Sequence, residues 1–252
     1  MRSGAALVVA HPDDEALWLS SVIALADRLV FCYADQFENA QQAAARRRAV
    51  AALPWGGLIS LGIAESGARR CVDWGHPCLT PAGIEIVDPK ARSRYEANYQ
   101  SLIARLRPVL AGMREVYTHN PWGDYGHPDH IQVHRAVAAL QNELGYTIWF
   151  TNYVGAASWP LACALSPRPY WTQRRVVRPD RALARRLQRI YRRHGAWTWT
   201  VDHRWPAWET VYAAPPADDR APRHSFSGEW VLDVAGLRWW KSPWRASRRR
   251  LT

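Results

Sequence analysis

The chain opens on an apolar run over residues 5–9 that meets a polar turn, Ala10-His11-Pro12-Asp13-Asp14-Glu15, and then a helix-like segment. A short strand, a polar turn and a helix in that order begin a βαβ unit. The alternation continues. Residues 13–28 read as helix, with acids at its start where the dipole favours them, and residues 29–34 as a second strand. Residues 40–53 are alanine-rich and helical until Pro54 stops them, and 58–61 form a third strand. Tyr95, Tyr99, Leu102, Ile103 and Leu106 set a helical period over 91–106, with Pro108 marking its end. Residues 115–119 are a strand, 120–126 a loop of turn formers, and 131–140 a helix entered through His127-Pro128-Asp129-His130. Proline suits the first position of a helix, so His127 falls at the cap and His130 on the first turn. Residues 146–151 are a further strand.

Strands alternating with helices give an α/β chain, and 252 residues suit one such domain with insertions better than two small ones. Residues 1–252 are therefore expected as one domain with a Trp/Arg-rich C-terminal part over about 155–244 and a basic tail at 245–252. The stretch 62–90 has turn residues and no clear period, and a loop of that length is expected to wall a pocket. After residue 152 the pattern thins. Residues 181–193 form a basic helix, Trp197-Thr198-Trp199 with Val201 read as a strand or an aromatic rim, 215–222 as a loop and 230–237 as a late strand.

Composition sharpens this in three places. The balance of 33 Lys+Arg against 22 Asp+Glu favours anionic partners. The 15 tryptophans can stack on sugars or bases, although most such residues simply bury area. The four cysteines show no spaced framework, and Cys71 and Cys78 flank a loop whose chance spacing accounts for them better than a pairing does. Neither a signal-peptide pattern nor an apolar run of transmembrane length is present, which places the chain in the cytoplasm as an expectation.

The candidate chemistry lies at two strand-to-helix junctions on one sheet edge. Either cluster alone could be a capped turn; their convergence is what points to a site. His11, Asp14 and His130 form a two-imidazole, one-carboxylate ligand set suited to Zn2+, with Fe2+ able to compete, and leave a position for water. Asp13, beside a ligand but turned away, is the candidate general base. His127 can stabilise an oxyanion or protonate a leaving amine, and Asp129 can orient a histidine from behind. Asp35, after the second strand, could face the same edge. Trp122, in the 120–126 loop, and Arg47, in the run Arg46-Arg47-Arg48 that otherwise reads as a solvated face, are further candidate substrate contacts. His119, His134, His76, His194, His203 and His224 have no such setting and read as structural or surface.

The hexapeptide at 10–15 together with Gly123-Asp124-Tyr125-Gly126-His127-Pro128-Asp129-His130 closely resembles the LmbE-like/PIG-L family of zinc de-N-acetylases. The likeness covers roughly residues 5–150 well, and Arg189 to Trp199 more faintly. It implies a Rossmann-like three-layer α/β/α sandwich with a mainly parallel sheet, and removal of acetyl from an N-acetylglucosamine-type sugar within a larger conjugate. By position it implies His11, Asp14 and His130 as ligands, Asp13 as base, His127 as oxyanion stabiliser or acid, and Tyr125 as a mobile tyrosine that helps polarise the carbonyl. Gln42 and Ala45 stand where many members carry an arginine and a glutamate. The expected partner is a small amino-sugar conjugate, for which the basic surface suits a phosphate-bearing or lipid-linked form, with weak anionic membrane association through the basic C-terminus. Two other readings compete: a metal-dependent amidase acting on a non-sugar amide, and a nucleic-acid or anionic-surface binding protein, which would leave both metal-type clusters unexplained.

Overall fold

Strand β1 (Ala5–Val9) is buried at every position. Ala5, Leu7 and Val9 face one apolar core, while Ala6 and Val8 face another. A strand apolar on both sides belongs to a parallel sheet covered on both faces. The computed structural model describes residues 4–35, 39–168, 170–216, 222–227, 229–234 and 238–241. In chain order, β1 is followed by α1 (Asp14–Trp18), β2 (Arg28–Phe31), α2 (Ala40–Ala51), β3 (Leu58–Ser60), a small hairpin of β4 (Leu79–Thr80) and β5 (Gly83–Ile84), and α3 (Pro89–Leu110). Then come β6 (Glu115–Thr118), α4 (Pro128–Leu144), β7 (Thr147–Thr151), β8 (Tyr153–Val154) and α5 (Trp159–Leu165). The remainder is β9 (Gln173–Val177), α6 (Arg181–Arg193), β10 (Glu209–Ala214), β11 (Trp230–Asp233) and β12 (Arg238–Lys241).

The main sheet has seven strands in the order β3-β2-β1-β6-β7-β10-β9. Its first five strands pair in parallel, and β10 runs antiparallel to both β7 and β9. One core lies between the sheet and α3, α4 and α5; the other lies under α1, α2 and α6. This is a three-layer α/β/α sandwich with a mainly parallel sheet. The chain winds outward in opposite directions from β1 and β6, so the crevice at their carboxyl ends is a topological switch point, where ligands bind in such sheets. The C-terminal part does not stand apart: β9 and β10 extend the same sheet and α6 shares the core of α1 and α2.

Several boundaries differ from the sequence reading, each for a tertiary reason. The helix expected over 13–28 stops at Trp18, and only a 3₁₀ turn at Ile23–Leu25 follows. Other elements claim its last groups: Thr151 Oγ1 donates to the Trp18 carbonyl (3.0 Å), while Ser20 Oγ (2.6 Å) and Ser21 N (3.0 Å) donate to the buried Glu209 carboxylate. Helix α3 runs through Pro108 to Leu110, because burying Leu110 beside Leu106 outweighs one missing backbone bond near the helix end. Residues 197–199 form no strand. The 62–90 stretch holds a 3₁₀ turn and the β4–β5 hairpin, and Cys71 and Cys78 are both free. Part of the 215–222 loop, residues 235–237 of the late strand, and the basic tail lie outside the described residues.

Candidate active site

Both sequence clusters arrive at the switch point. The first is a four-residue turn after β1, residues 10–13. Asp13 caps α1 with φ 107°, a left-handed conformation that costs a non-glycine residue about 1–3 kcal/mol. The second is the loop from β6 to α4. There His127 caps α4, with its Nδ1 accepting from Asp129 N (3.2 Å), and Pro128 is the first helical residue. Gly123 and Gly126 have φ of +78° and +98°, and a Cβ on Gly123 would stand 2.7 Å from the His127 carbonyl oxygen, so the loop closes only with glycine there.

His11 Nδ1 and His130 Nε2 each lie 3.3 Å from Asp14 Oδ2. Tetrahedral coordination with bonds of about 2.0–2.1 Å places neighbouring donor atoms about 3.3 Å apart, the distance at which each imidazole nitrogen stands from Asp14 Oδ2. The groups whose ligand atoms all lie within 4.8 Å of one another are His11–His127–His130, Asp14–His119–His130 and His11–Glu65–Asp129, so the described side chains converge on this spot as overlapping sets. The far side of each ring is anchored. His11 Nε2 faces Asp129 Oδ2 at 3.2 Å, and His130 Nδ1 faces Asp124 Oδ2 at 2.8 Å. A carboxylate behind each imidazole fixes the tautomer that aims a lone pair at a cation. His130 Nε2 is fully buried without a hydrogen-bond partner, a cost relieved by a bound cation. The residues present therefore fit a metal ion.

His119 reads from sequence as structural or surface, yet it lies in this cluster, its ring stacked on His130 with centroids 3.8 Å apart. Its Nε2 is 3.5 Å from Asp14 Oδ2. It nevertheless makes a poor ligand, because that Nε2 accepts from Ala10 N (2.8 Å) while Nδ1–H donates to Asp124 Oδ2 (2.6 Å). Its function is to hold Asp124 and the end of β1 together. His134 and His203 are buried, and the exposed His76 pairs with Asp73.

The two adjacent aspartates are driven apart. Burial and the Asp14 charge push the Asp13 carboxyl up to about 7, although two donors from Thr198 and the Arg46 charge oppose the rise. Burial would raise Asp14 too, but His130 and His11 hold it well below the usual carboxylate range. Burial alone would lower the histidines; Glu65, Asp129 and Asp14 instead bring His11 up to about 10, and Asp14 with Asp124 brings His130 up to about 9. A field that holds protons on both rings also favours a divalent cation. His127 is the opposite case: burial, then the charges of His11 and His130, keep it neutral, and with Nδ1 accepting a backbone N–H its proton resides on Nε2.

Other candidates are placed differently. Trp122 is a correction: it is fully buried, donates Nε1–H to the Tyr153 carbonyl (2.6 Å), and packs edge-on against Phe150 and Phe226, so it is core and meets no substrate. Asp35 and Arg47 pair with each other, half-exposed, and form no bond to the histidine–aspartate cluster. Arg46 is also a correction, because it is buried and paired with Glu65, whose Oε1 lies 3.4 Å from His11 Nε2. An arginine–glutamate pair thus stands beside the site from positions other than Gln42 and Ala45. Tyr125 lies against His127 and His130 and is flanked by Trp18 and Trp199.

The C-terminal contribution falls in the stretch Arg189–Trp199, where the likeness is faint and the sequence assigns no residue a role. Thr198 N and Thr198 Oγ1 both donate to Asp13 Oδ2 at 2.8 Å. Tyr191 O–H donates to Glu15 Oε1 at 2.6 Å, and Glu15 Oε2 in turn accepts from Asp13 N. No local pattern signals a contact across 185 residues. Asp124 was the more findable omission, since an aspartate between two loop glycines next to a histidine pair invites a role.

A doubly wound α/β sheet with buried histidines and carboxylates gathered at its switch point defines a Rossmann-like fold with a candidate cation site. The family model described as PIG-L: GlcNAc-PI de-N-acetylase matches residues 6–141, more than half of the chain and all of both turns, and the chain belongs to that family. The 1D-myo-inositol 2-acetamido-2-deoxy-alpha-D-glucopyranoside deacetylase of Mycolicibacterium smegmatis is 36% identical over 98 residues, covering 36% of this chain and 32% of that protein. Its namesake from Rhodococcus jostii is 35% identical over 160 residues, covering 55% and 53%. Deacetylase 1 of the same description from Catenulispora acidiphila is 30% identical over 205 residues, covering 73% and 58%. The chain thus spans from about a third to somewhat over half of the length of these relatives. In fold it is similar to a deacetylase–bog complex from the biosynthesis pathway of teicoplanin, with TM-score 0.53, 15% identity and coverage of 85% and 99%. The zinc-inhibited form of a teicoplanin deacetylase gives TM-score 0.52, 16% identity and the same coverage.

Proposed function

We propose that the chain is a metal-dependent deacetylase that hydrolyses the acetamide of an N-acetylglucosamine-type sugar held in a larger conjugate. The observation that carries the reading is Asp14 Oδ2 lying 3.3 Å from both His11 Nδ1 and His130 Nε2, with His130 Nε2 buried and without a hydrogen-bond partner. The acetamido-sugar substrate in the names of the relatives supports the choice of bond. Zn2+ suits two imidazoles and a carboxylate, and Fe2+ accepts the same donors. When bound, such an ion lowers the pKa of water and polarises an amide carbonyl.

The chain's own groups supply the rest. Asp13, brought to about 7 and fixed by Thr198, takes the proton of the attacking water and returns one to the departing amine. His127, neutral with Nε2–H free to donate, stabilises the acetamide oxygen as the carbonyl becomes tetrahedral. Tyr125 keeps its phenol proton, since burial raises it well above its ordinary value, and is a second donor beside His127. Trp199 and Tyr125 offer the sugar an aromatic wall, and the Asp35–Arg47 pair offers the conjugate a polar contact. No described helix is long and apolar enough to cross a membrane.

The test is acetate release from a panel of N-acetylglucosamine conjugates (free, nucleotide-linked, lipid-linked, inositol-linked and glycopeptide-linked) before and after chelation. Zinc is restored up to one equivalent, because a solved deacetylase of this fold is described as zinc-inhibited. Release that disappears on chelation and returns with metal is the expected result. A protein that binds zinc stoichiometrically but releases no acetate points to a non-sugar amide. A protein that binds no metal overturns the reading.

A further inference from the structure

Helix α6 carries a face that the site does not use. Its sequence, RALARRLQRIYRR, contains no acid. Ala184, Leu187 and Tyr191 turn inward to the core, while Arg185, Arg186, Arg189, Arg192 and Arg193 are exposed. Among the described residues none of these five has an ion-pair partner. Helix α2, which packs beside α6, also lacks acidic residues and exposes Arg48. A solvated face ordinarily intersperses both signs; one of a single sign is an electrostatic footprint for an anionic partner.

Two further features narrow the partner. At the N-terminal end of α6 a cavity of about 280 Å³ is lined by Arg178, Pro179, Arg181, Ala207 and Trp208, with the Arg178 guanidinium 4.3 Å from the Trp208 ring centre. Two guanidiniums around an opening of that size suit a phosphate headgroup. On the connection from α6 to β10, Val201 and Trp208 are 59% and 41% exposed. Basic residues along a helix with an exposed tryptophan and valine beside them are the surface that settles on a lipid interface, arginine meeting headgroups and apolar groups entering beneath. Duplex nucleic acid would take the charge but offers nothing to the valine.

We propose that the outer face of α6, with the Arg178–Arg181–Trp208 cavity at its end, docks the protein on an anionic lipid bilayer. The next segment of the chain holds Thr198 and Trp199 at the catalytic turn, so the docking helix is joined directly to the site. The proposal does not depend on which amide the site cleaves.

The test is co-sedimentation of the full chain with vesicles of phosphatidylcholine alone and with about a third phosphatidylglycerol, at low and high salt. Three proteins are compared: wild type; Arg185→Gln/Arg189→Gln/Arg192→Gln/Arg193→Gln; and Arg248→Gln/Arg249→Gln/Arg250→Gln in the tail. Thermal melting confirms that the surface variants stay folded. Expected are wild-type binding to the anionic vesicles only, loss of at least tenfold in the α6 variant, weakening by salt, and near-normal binding in the tail variant. Trp208→Ala, with all charges kept, should lose severalfold. The proposal is overturned if the α6 variant binds like wild type, if the tail variant alone abolishes binding, if neutral vesicles bind equally, or if a DNA duplex is bound and vesicles are not.

Discussion

The two turns that build the site are braced by opposite means. The loop from β6 to α4 is held largely from within: Asp124 N donates to Asn120 Oδ1, Gly126 N to the Gly123 carbonyl, and one Asp124 oxygen accepts from both His119 and His130. The turn after β1 is too short for that. Its Asp13 sits at φ 107°, and the groups that fix Asp13 and Glu15 come from Thr198 and Tyr191, 185 and 176 residues further along. The loop from β6 to α4 is thus braced mainly by its own residues, and the turn after β1 is finished by a region beyond the segment that the family model matches. Metal binding should depend on both turns, which share the ligands, whereas the contacts from Thr198 to Asp13 should weigh mainly on turnover.

The largest effect expected separates Asp13 from the ligands. Asp13→Asn removes the proton acceptor and leaves the three donor atoms, so turnover should fall by about 10²–10⁴-fold with metal content unchanged. His130→Ala should lose the metal itself. Metal analysis beside acetate-release kinetics checks both, and an Asp13→Asn enzyme at full rate would remove Asp13 as the base.

Metal affinity should also drop steeply as pH falls, because protons compete for the same lone pairs. His11 and His130 are raised to about 10 and about 9, so without metal both are protonated at neutral pH, and binding must displace both protons. Below those values the dissociation constant should worsen by roughly a hundredfold for each unit of falling pH. Competition with a chelator from pH 6 to 8 measures the slope. A flat profile would mean that these imidazoles are not the ligands.

How much of this was legible in the sequence follows from the same contrast. Features local in sequence are visible there: the strand alternation, His127 at a helix cap, and the two clusters that meet at one sheet edge. Contacts made across the sheet are not. Trp122 sits in a loop of turn formers, where sequence alone does not reveal that its indole packs against Phe150 and Phe226 from β7 and the C-terminal segment. Arg46 belonged to a run that resembles a solvated face, but one position in such a run must point inward, and here it meets Glu65. The helix over 13–28 was overcalled because local propensity does not reveal Glu209 capturing Ser20 and Ser21.

Asp124 tests the self-braced turn. Asp124→Asn keeps an oxygen to accept from both histidines and tolerates the positive φ of 55° better than alanine, so only the charge is lost. Metal affinity should drop by about 10–100-fold, the usual consequence of weakening the group behind a ligand. Titration calorimetry with zinc would show it. Unchanged affinity would mean that orientation by the loop backbone suffices.

Thr198 tests the other turn and should give the smallest effect. Its backbone N–H and hydroxyl both hold Asp13 Oδ2 at 2.8 Å, and Thr198→Val removes the hydroxyl while keeping the shape and the backbone bond. A hydrogen bond to a charged group is worth about 1.5–3 kcal/mol, and with one of two donors retained a loss of about tenfold in kcat is expected. KM and metal content should hold, because the side chain touches neither the ligands nor the aromatic wall. Thr198→Ser restores the hydroxyl and should restore the rate. If Thr198→Val lowered metal content as much as kcat, the C-terminal segment would be supporting the whole turn rather than aiming its base, and the contrast between the two turns would collapse into one of general stability.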